Sequence, residues 1–343
     1  MTRKKQTDRV TITDVARVAG VSKTTVSRYL GGQYHVLSES TQARIKEAIE
    51  QLNYRPNQMA RGLKRDRSYL IGMVMADISN PYSTAVLRGA EDVCKQKGYS
   101  ILVCNTDNDP AKEREYILML QSHRIDGLLI NTTGKNNDFL RELANDCTPV
   151  VLIDRKVPVL GFDTVGLDNE QATSEAIHFL LNRGYKRIAY VSEPIAGVSS
   201  RRERAAVFTA LADQYGYSAD DLYEVNLQSP ERLSEVLDHF LQRTQGEKPV
   251  IFAANGVVLL KLIRALQSKG ISVPEDVAVI SFDDTEWAAL IGSGITAIAQ
   301  PTYQIGMTAM ERIFQRMEGD GSPAQNIAFA GKLIIRGSTP PVV

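Results

Sequence analysis

From Tyr69 onward the chain alternates short apolar runs with longer amphipathic stretches, and this alternation restricts the possible fold more than any other feature. Apolar runs at 70–76, 100–105, 127–131 and 150–154 predict strands, and the first two are followed by predicted helices at 81–97 and 110–123. Repeated strand–helix units of this kind predict a parallel sheet with helices on both faces.

A second series with the same alternation begins near Thr164. It contains predicted strands at 187–191, 250–253 and 277–282, and predicted helices at 169–183, 200–215 and 255–269. Two such series predict two doubly wound parallel-sheet subdomains of about five or six strands each. We place them at about 69–161 and about 162–300, with the segments at 299–302 and 326–335 crossing back between the two lobes.

The charge of the chain is divided sharply along its length. The 343 residues carry no net charge, but residues 1–68 hold 14 Lys and Arg against 6 Asp and Glu, a net charge of +8. The remaining residues therefore carry a net charge of −8, with 26 basic and 34 acidic side chains. A basic head on an acidic body indicates a nucleic-acid-binding module joined to a domain with another task.

The basic head has the spacing of a helix-turn-helix. Residues 13–19 predict a short helix with Thr13 as its N-cap, Gly20 allows a sharp exit, and Ser22 caps a second helix from Lys23 to about Leu30. A third helix is predicted at about 40–51. In a helix-turn-helix protein the second helix lies in the major groove of DNA. The alternative interpretation of these three helices is a solvated cap that does not bind DNA. The residues expected to contact DNA are Thr11, Thr13, Ser22, Lys23, Thr24, Thr25, Ser27 and Arg28.

A short helical turn is predicted after Pro56. It would begin at Asn57 and place Ala60 and Leu63 on one face, with Lys64 pointing outward. A piece of this length is marginal in water by itself, so we expect it to fold only when docked. The predicted organisation is therefore a DNA-binding domain at 1–56, a hinge at 57–68 and an effector-binding and dimerisation domain at 69–343.

The segments "TITDVARVAGVSKTTVSRYL" and "LNYRPNQMARGLKR" resemble the start of the LacI/GalR family of bacterial repressors, and the resemblance continues from Thr11 to about Arg336. It implies a periplasmic-binding-protein-like core, a homodimer and a palindromic operator. It also implies that Leu63 wedges into the minor groove at the operator centre, next to Asn57, Ala60 and Lys64. The chain shows no leucine heptads after Arg336, so a dimer is expected rather than a tetramer.

The predicted effector site lies at the carboxyl ends of the strands, where ligands bind in open parallel sheets. Polar or aromatic strand-end residues are the candidates, although about half of such residues serve only as helix caps. The resemblance adds residues from a helix and from a late crossover, and it implies that an indole close to the cleft could pack on a sugar face. The expected effector-binding residues are Asn80, Tyr82, Asn105, Asp107, Arg155, Ser200, Arg201, Arg204, Asn255, Asp283, Trp287 and Gln300.

The charge of this site predicts an anionic effector. The family usually has an acidic residue after the Asn that matches Asn255, and this chain has Gly256 there. Three arginines could instead pair with a carboxylate. A small sugar acid is therefore expected. Segments such as "ADISNPYS" and "IAQPTYQIG" resemble those of LacI/GalR family members that respond to 2-keto-3-deoxygluconate or 2-ketogluconate.

Several alternatives stay open at this point. Two of the three arginines could make ordinary ion pairs, and the effector could be a neutral sugar or a purine-like corepressor. The chain could also bind sugar without binding DNA, although the basic head would then be unexplained. Whether the effector releases DNA or strengthens its binding is not determined by the sequence.

Enzymatic chemistry is not expected. The chain has no phosphate-binding loop, no G-x-G-x-x-G after a strand and no G-x-S-x-G. Its four histidines are scattered, and its three cysteines have neither disulfide-framework nor zinc spacing. No apolar run reaches the ~18–20 residues of a membrane span, and the basic start leads into no apolar segment of a signal peptide. We therefore expect a cytoplasmic protein without metal, cofactor or membrane partner.

Overall fold

The computed structural model describes residues 10–54, 67–144, 146, 148–157, 161–244 and 246–342. The chain divides into two compact units, Met1–Ser68 and Tyr69–Val343. No helix among the described residues combines the length and the apolar character that a membrane span requires.

The head contains three α-helices, α1 (Ile12–Ala19), α2 (Lys23–Leu30) and α3 (Glu39–Gln51), with a 3₁₀ turn at Tyr34–Val36. All three predicted helices are confirmed. Their inner faces meet in a small core in which Val15, Val26 and Ile45 are completely buried. Apolar residues at helical spacing therefore form this unit.

The start of α1 differs from the prediction. Its N-cap is Thr11, not Thr13, because the carboxylate of Asp14 accepts hydrogen bonds from the Thr11 backbone N–H at 3.0 Å and from its hydroxyl at 2.7 Å. An acidic side chain three residues after the cap fixes the first turn, and the sequence analysis overlooked it. The predicted cap of α2 is confirmed, since Ser22 Oγ accepts the backbone N–H of Thr25 at 3.1 Å.

The first lobe of the second unit is built on one six-stranded sheet. The elements that run through it before the first crossover are β1 (Leu70–Met75), α4 (Pro81–Lys97), β2 (Ser100–Asn105), α5 (Pro110–Ser122), β3 (Gly127–Ile130), α6 (Asn137–Leu143), β4 (Val150–Ile153) and β5 (Asp163–Leu167). Apolar clusters cover both faces of the sheet.

The second lobe has the same construction. Its elements are α7 (Asn169–Asn182), β6 (Arg187–Ser192), α8 (Ser199–Tyr215), β7 (Leu222–Glu224), α9 (Pro230–Gln242), β8 (Pro249–Ala253), α10 (Gly256–Ser268), β9 (Ala278–Phe282) and β10 (Thr296–Ala299). The chain then returns to the first lobe through α11 (Thr302–Met317) and β11 (Asn326–Phe329), and ends in the second sheet with β12 (Lys332–Ile334).

The strand orders of the two lobes correspond, and the lobes differ only in the direction of the edge strand added last. The orders are β11-β5-β4-β3-β1-β2 in the first sheet and β12-β10-β9-β8-β6-β7 in the second. Every pairing is parallel except that of β10 with β12. The predicted architecture of two parallel sheets with about six strands each is thus confirmed, together with the late crossovers.

The predicted start of the second lobe at about 162 was wrong. Strand β5 pairs with β4, with Ile153 opposite Val165, and therefore belongs to the first sheet. The first crossover follows β5, because α7 packs with the core of the second lobe. Alternation along the chain identifies strands but contains no information about which sheet a strand joins, so the boundary was placed one strand too early.

Candidate functional site

The carboxyl ends of the two sheets face each other across a cleft. The space enclosed there is about 60 Å³, far below the ~300 Å³ or more of an ordinary ligand pocket. The cleft is therefore nearly closed in this arrangement, and a sugar-sized molecule enters it only while the lobes are apart. The residues that line the cleft are Asp77, Asn80, Tyr82, Asn108, Asp154, Arg155, Glu193, Ser200, Arg201, Arg204, Asn255, Val257, Asp283 and Gln300.

Most of the residues predicted for an effector site are brought together in this cleft. Those that line it are Asn80, Tyr82, Arg155, Ser200, Arg201, Arg204, Asn255, Asp283 and Gln300. Asn80 also caps α4, since its Oδ1 accepts the backbone N–H of Tyr82 at 3.0 Å. A strand-end residue can therefore be both a helix cap and part of the cleft wall.

Asn105 and Asp107 do not line the cleft. Asn105 Oδ1 accepts the backbone N–H of Ile78 at 2.9 Å, and its Nδ2 donates to Asp107 at 2.7 Å. The ammonium of Lys112 lies 2.6 Å from the Asp107 carboxylate and lowers the pKa of that carboxyl. These side chains brace the loop after β2, so their prediction as ligand contacts is not supported by their position.

Trp287 lines a neighbouring chamber of about 370 Å³ instead of the cleft itself. This chamber shares Tyr82, Asp283 and Gln300 with the cleft, so one wall separates the two spaces. The indole is half-buried and packs against the apolar core of the second lobe. Trp287 therefore lies close to the cleft, as predicted, but its position does not support a contact with a ligand in the cleft.

Two aspartates occupy equivalent positions at the ends of β4 and β9. Asp154 and Asp283 both adopt left-handed backbone conformations, with φ of 63° and 70°. Asp154 accepts a hydrogen bond from Ser200 Oγ at 3.2 Å, which joins the two lobes. Asp283 accepts the backbone N–H of Gly256 at 3.0 Å and Gln300 Nε2 at 2.6 Å, while its burial raises the pKa of the carboxyl.

Two of the three predicted arginines are held by the second lobe itself. Arg201 pairs with Glu193 at 2.7 Å. Arg204 Nη1 donates to the carbonyl of Ala254 at 2.7 Å, and its guanidinium lies 3.7 Å from the ring centroid of Phe282. These contacts fix both guanidinium groups, and the charge of Arg201 is neutralised before any ligand arrives.

Arg155 is held differently, by the first lobe. Its Nη1 donates to the carbonyl of Thr132 at 2.8 Å and to Asn108 Oδ1 at 3.1 Å, and the residue is only 8% exposed. The nearest carboxylate is that of Asp154, at 3.8 Å from Nε. This distance is too long for a hydrogen bond.

Three buried polar atoms of the cleft have no hydrogen-bond partner among the described residues, and we call them the open atoms. They are Tyr82 Oη, Arg155 Nε and Gln300 Oε1. Burial, followed by the charges of Asp154 and Asp283, raises the pKa of Tyr82 well above its usual value, so the phenol stays protonated. A buried polar group without a partner costs about 1–3 kcal/mol, and a ligand that supplies the missing bonds removes this cost.

Sequence reasoning missed Glu193, Asn108 and Val257, and the strand-end residues Asp77 and Asp154 were not among the expected effector-binding residues. Glu193 directly follows β6, so the strand-end rule could have identified it. It also accepts Asn255 Nδ2 at 2.8 Å, while Asn255 Oδ1 caps α10 through the N–H of Val258. Both ends of the Asn255 amide are therefore already used.

The candidate DNA-contacting surface lies on the head. Thr11, Thr13 and Arg28 are exposed, as are the first residues of α2 from Ser22 to Thr24, whereas Thr25 and Ser27 are half-buried. The roles of these residues stay predictions. Asn57, Ala60, Leu63 and Lys64 fall outside the described residues.

A helix-turn-helix head followed by two periplasmic-binding-protein-like lobes defines a class of ligand-responsive regulators. The model for bacterial regulatory proteins of the lacI family matches residues 11–57, and the model for the periplasmic binding protein-like domain matches residues 177–339. The chain is 47% identical over 337 residues to the HTH-type transcriptional regulator KdgR of Bacillus subtilis (strain 168), with 98% of this chain and 99% of that protein covered.

It is also 48% identical over 335 residues to the HTH-type transcriptional regulator PtxS of Pseudomonas putida, with 97% of each chain covered. The chain therefore belongs to the lacI family and is a DNA-binding transcriptional regulator. The predicted family and fold class are confirmed. A lac repressor dimer bound to operator has the same fold, with a TM-score of 0.83 at 23% identity, covering 97% of this chain and all of the other.

Proposed function

We propose that this regulator is a homodimeric repressor of carbohydrate catabolism genes, and that a small sugar acid bound in the cleft releases it from a palindromic operator. The head at 1–56 reads DNA, the hinge at 57–68 contacts the operator centre, and residues 69–343 bind the effector and form the dimer. A repressor of this kind acts in the cytoplasm, where the chromosome lies, and catalyses no reaction.

The observation that carries the effector assignment is the open Nε of buried Arg155. A carboxylate accepts hydrogen bonds from a guanidinium more strongly than a neutral oxygen does. The open Tyr82 Oη can donate to the same carboxylate, and the open Gln300 Oε1 can accept a bond from a hydroxyl. One carboxylate and several hydroxyls are the groups of a sugar acid such as 2-keto-3-deoxygluconate or 2-ketogluconate.

A neutral sugar is the second candidate, and a specific observation favours it. Four carboxylates, of Asp77, Asp154, Glu193 and Asp283, line the cleft together with three arginines. Carboxylates accept hydrogen bonds from hydroxyls and repel an anion. Binding measurements distinguish a sugar acid from a neutral sugar, because only the acid offers a carboxylate to Arg155.

The regulatory mechanism requires that the effector binds one arrangement of the lobes more tightly than the other. Because residues of both lobes line the cleft, an effector that contacts both stabilises one separation of the lobes over the others. This change is transmitted to the hinges of the two subunits, and the half-site contacts of the heads are lost together. A corepressor would act through the same linkage with the opposite sign.

The test is a titration of Trp287 fluorescence with gluconate, 2-ketogluconate, 2-keto-3-deoxygluconate and glucose, repeated by calorimetry. We expect saturable binding of one acid and none of glucose, followed by release of labelled operator DNA at the same concentration. Binding of glucose alone would overturn the acid assignment. Tighter DNA binding in the presence of the acid would show a corepressor.

DNA recognition is tested separately on the head. Arg28→Ala should weaken operator binding and leave effector affinity unchanged. Rising salt should weaken DNA binding steeply, because Lys and Arg that neutralise phosphates release counterions. Unchanged operator affinity of the variant, or a flat salt response, would contradict the assignment of the basic head as the contact surface.

A further inference from the structure

A continuous chain of side chains connects a half-buried lysine of the first lobe to an arginine of the cleft. Lys156 Nζ lies 2.9 Å from Glu203 Oε1, and Glu203 Oε2 accepts Asn169 Nδ2 at 2.9 Å. Asn169 Oδ1 then accepts Arg204 Nε at 2.8 Å. Lys156 follows β4 of the first lobe, whereas the other three residues belong to the second lobe.

Asn169 is the central member of this chain and is only 2% exposed. It is the first residue of α7, directly after the crossover from β5. Its carbonyl faces a donor and its amino group faces a carboxylate, so only one orientation of the amide satisfies both neighbours. A rotated amide would place donor against donor and acceptor against acceptor.

Three contacts fix the orientation of the Arg204 guanidinium. Phe282 lies beneath the guanidinium plane, the Ala254 carbonyl accepts Nη1, and Asn169 accepts Nε. Of these three contacts, the one through Asn169 continues to the other lobe.

The first lobe touches this chain only where the lobes meet. The backbone N–H of Lys156 donates to Ser199 Oγ at 2.7 Å, in addition to the ion pair of its side chain with Glu203. Separation of the lobes removes the positive charge from Glu203, whose side chain is 16% exposed. The carboxylate then keeps only the Asn169 amide from this chain.

We propose that Asn169 and Glu203 are positioning residues that link the Lys156 contact between the lobes to the orientation of Arg204. Lys156 thereby tunes effector affinity without touching the effector. The inference rests on the proposed function and on the expected contact of Arg204, which lines the cleft, with the ligand. By linkage, an effector that is held by a correctly oriented Arg204 favours the lobe arrangement that Lys156 stabilises.

The first test is a double-mutant cycle on effector affinity with Lys156→Met and Glu203→Gln. Each variant should lower affinity about two- to fivefold, the range for a partly exposed ion pair, and the double variant should lose no more than the single ones. Lys269→Met is the matched control. It removes the ion pair of Lys269 with Asp238, which is 2.7 Å long and lies within the second lobe, and it should leave effector affinity unchanged. Losses that multiply in the double variant would overturn the link.

The second test examines Asn169 itself. Asn169→Ala should lower effector affinity roughly tenfold or more, since a hydrogen bond to a charged group is lost. Asn169→Asp keeps an acceptor for Arg204 but has no donor for Glu203. The new carboxylate and that of Glu203 repel each other unless Lys156 neutralises Glu203, so the effect of Lys156→Met on affinity should be larger in this background. If the effect of Lys156→Met persists unchanged in the Asn169→Asp background, the coupling does not run through Asn169.

Hydrogen exchange of the ligand-free protein separates this inference from the proposed effector. Lys156→Met and Glu203→Gln should both speed exchange of the amides in the first turn of α7, and Lys269→Met should not. This result together with no binding of any sugar acid would contradict the effector proposal and support the link. Unchanged exchange in both variants would overturn the link even if a sugar acid binds.

Discussion

The two lobes have the same strand order, yet they contribute to the cleft in different ways. Each places an aspartate in a left-handed conformation after an equivalent strand, Asp154 after β4 and Asp283 after β9. The second lobe neutralises its own Arg201 with Glu193, whereas the first lobe presents Arg155 with the open Nε. The same strand order therefore does not imply the same electrostatics, and the first lobe is the better candidate for binding an anionic group.

The cores of the lobes show a related difference. In the second lobe, Phe252 and Phe282 stack at 5.4 Å, and Arg204 lies on the outer ring of this pair. The cleft side of the second lobe is thus supported directly by its aromatic core. In the first lobe, Arg155 is supported by the carbonyl of Thr132 in the loop after β3. This loop also meets the second lobe, where Gly134 approaches Gly197, so Arg155 is linked to the lobe contact through backbone and Arg204 through side chains.

The largest effect is expected from Gly134→Ala, which tests the approach of the lobes. A Cβ at Gly134 would lie 1.8 Å from the carbonyl oxygen of Gly197 in the second lobe, so the closed arrangement becomes inaccessible. Effector affinity should fall about a hundredfold or more by calorimetry. Gly98→Ala is the control, because Gly98 has the same positive φ but open space around it. Equal losses in both variants would show that backbone strain, not lobe contact, is responsible.

Arg155→Met should cause the next largest effect. Loss of a charge-assisted hydrogen bond to a carboxylate predicts roughly ten- to hundredfold weaker binding of the sugar acid, measured by calorimetry. The comparison is the double variant Glu193→Gln/Arg201→Met, which removes a neutral pair from the second lobe and should stay within about threefold of the wild type. A greater loss in the double variant would place the carboxylate in the second lobe.

The pH dependence of binding should come from the second lobe. Burial raises the pKa of Asp283, so as the pH is lowered this carboxyl is protonated before an exposed aspartate would be, which removes a negative charge from the cleft. Affinity for a sugar acid should increase by up to about fivefold, and Asp283→Asn should abolish the dependence. An unchanged pH slope in the Asp283→Asn variant would show that Asp283 does not contribute to the dependence.

The same shift predicts the sign of its effect on folding. Because the folded-state pKa lies above the unfolded value, the contribution of Asp283 to stability is complete below the unfolded pKa. It is lost as the pH rises through the folded value. Denaturant unfolding of the wild type and of Asp283→Asn at a series of pH values measures this contribution to the free energy of unfolding.

Ser200→Ala should have the smallest effect. It removes one 3.2 Å hydrogen bond between the lobes, from Ser200 Oγ to Asp154, and should weaken effector binding about two- to fourfold. Thr209→Ala is a suitable control, because the Thr209 hydroxyl bonds to the Ala205 carbonyl within α8. A larger effect of Thr209→Ala would attribute the change to the stability of the helix.

Much of the fold was predictable because local patterns encode it. The helices of the head and the alternating elements of both lobes follow from apolar spacing, and Ser22 and Asn80 act as caps. The membership of β5 in the first sheet was not predictable, because β5 pairs with β4 through residues that are not local in sequence, such as Ile153 and Val165. A spacing pattern does not distinguish such a pairing from the start of a new sheet.

For the cleft, the strand-end rule found most of the lining but not the state of each side chain. Asn105 and Asp107 follow a strand as Asp283 does, yet their polar groups are already paired. Asn105 bonds to the loop backbone and to Asp107, and Asp107 pairs with Lys112. Nothing local separates these cases, because the partner that occupies a side chain comes from another part of the chain.

The sequence by itself determined the class of protein, its basic helix-turn-helix head, its two parallel-sheet lobes and the types of residue at the cleft. Helical and strand periodicity, capping and net charge are local properties, and they act before the chain is folded. Only the tertiary structure decided that Arg201 is neutralised, that Arg155 retains the open Nε and that Lys156 reaches Arg204 through Glu203 and Asn169. These outcomes depend on distances of a few ångströms between residues remote in sequence, and packing of the two lobes sets those distances.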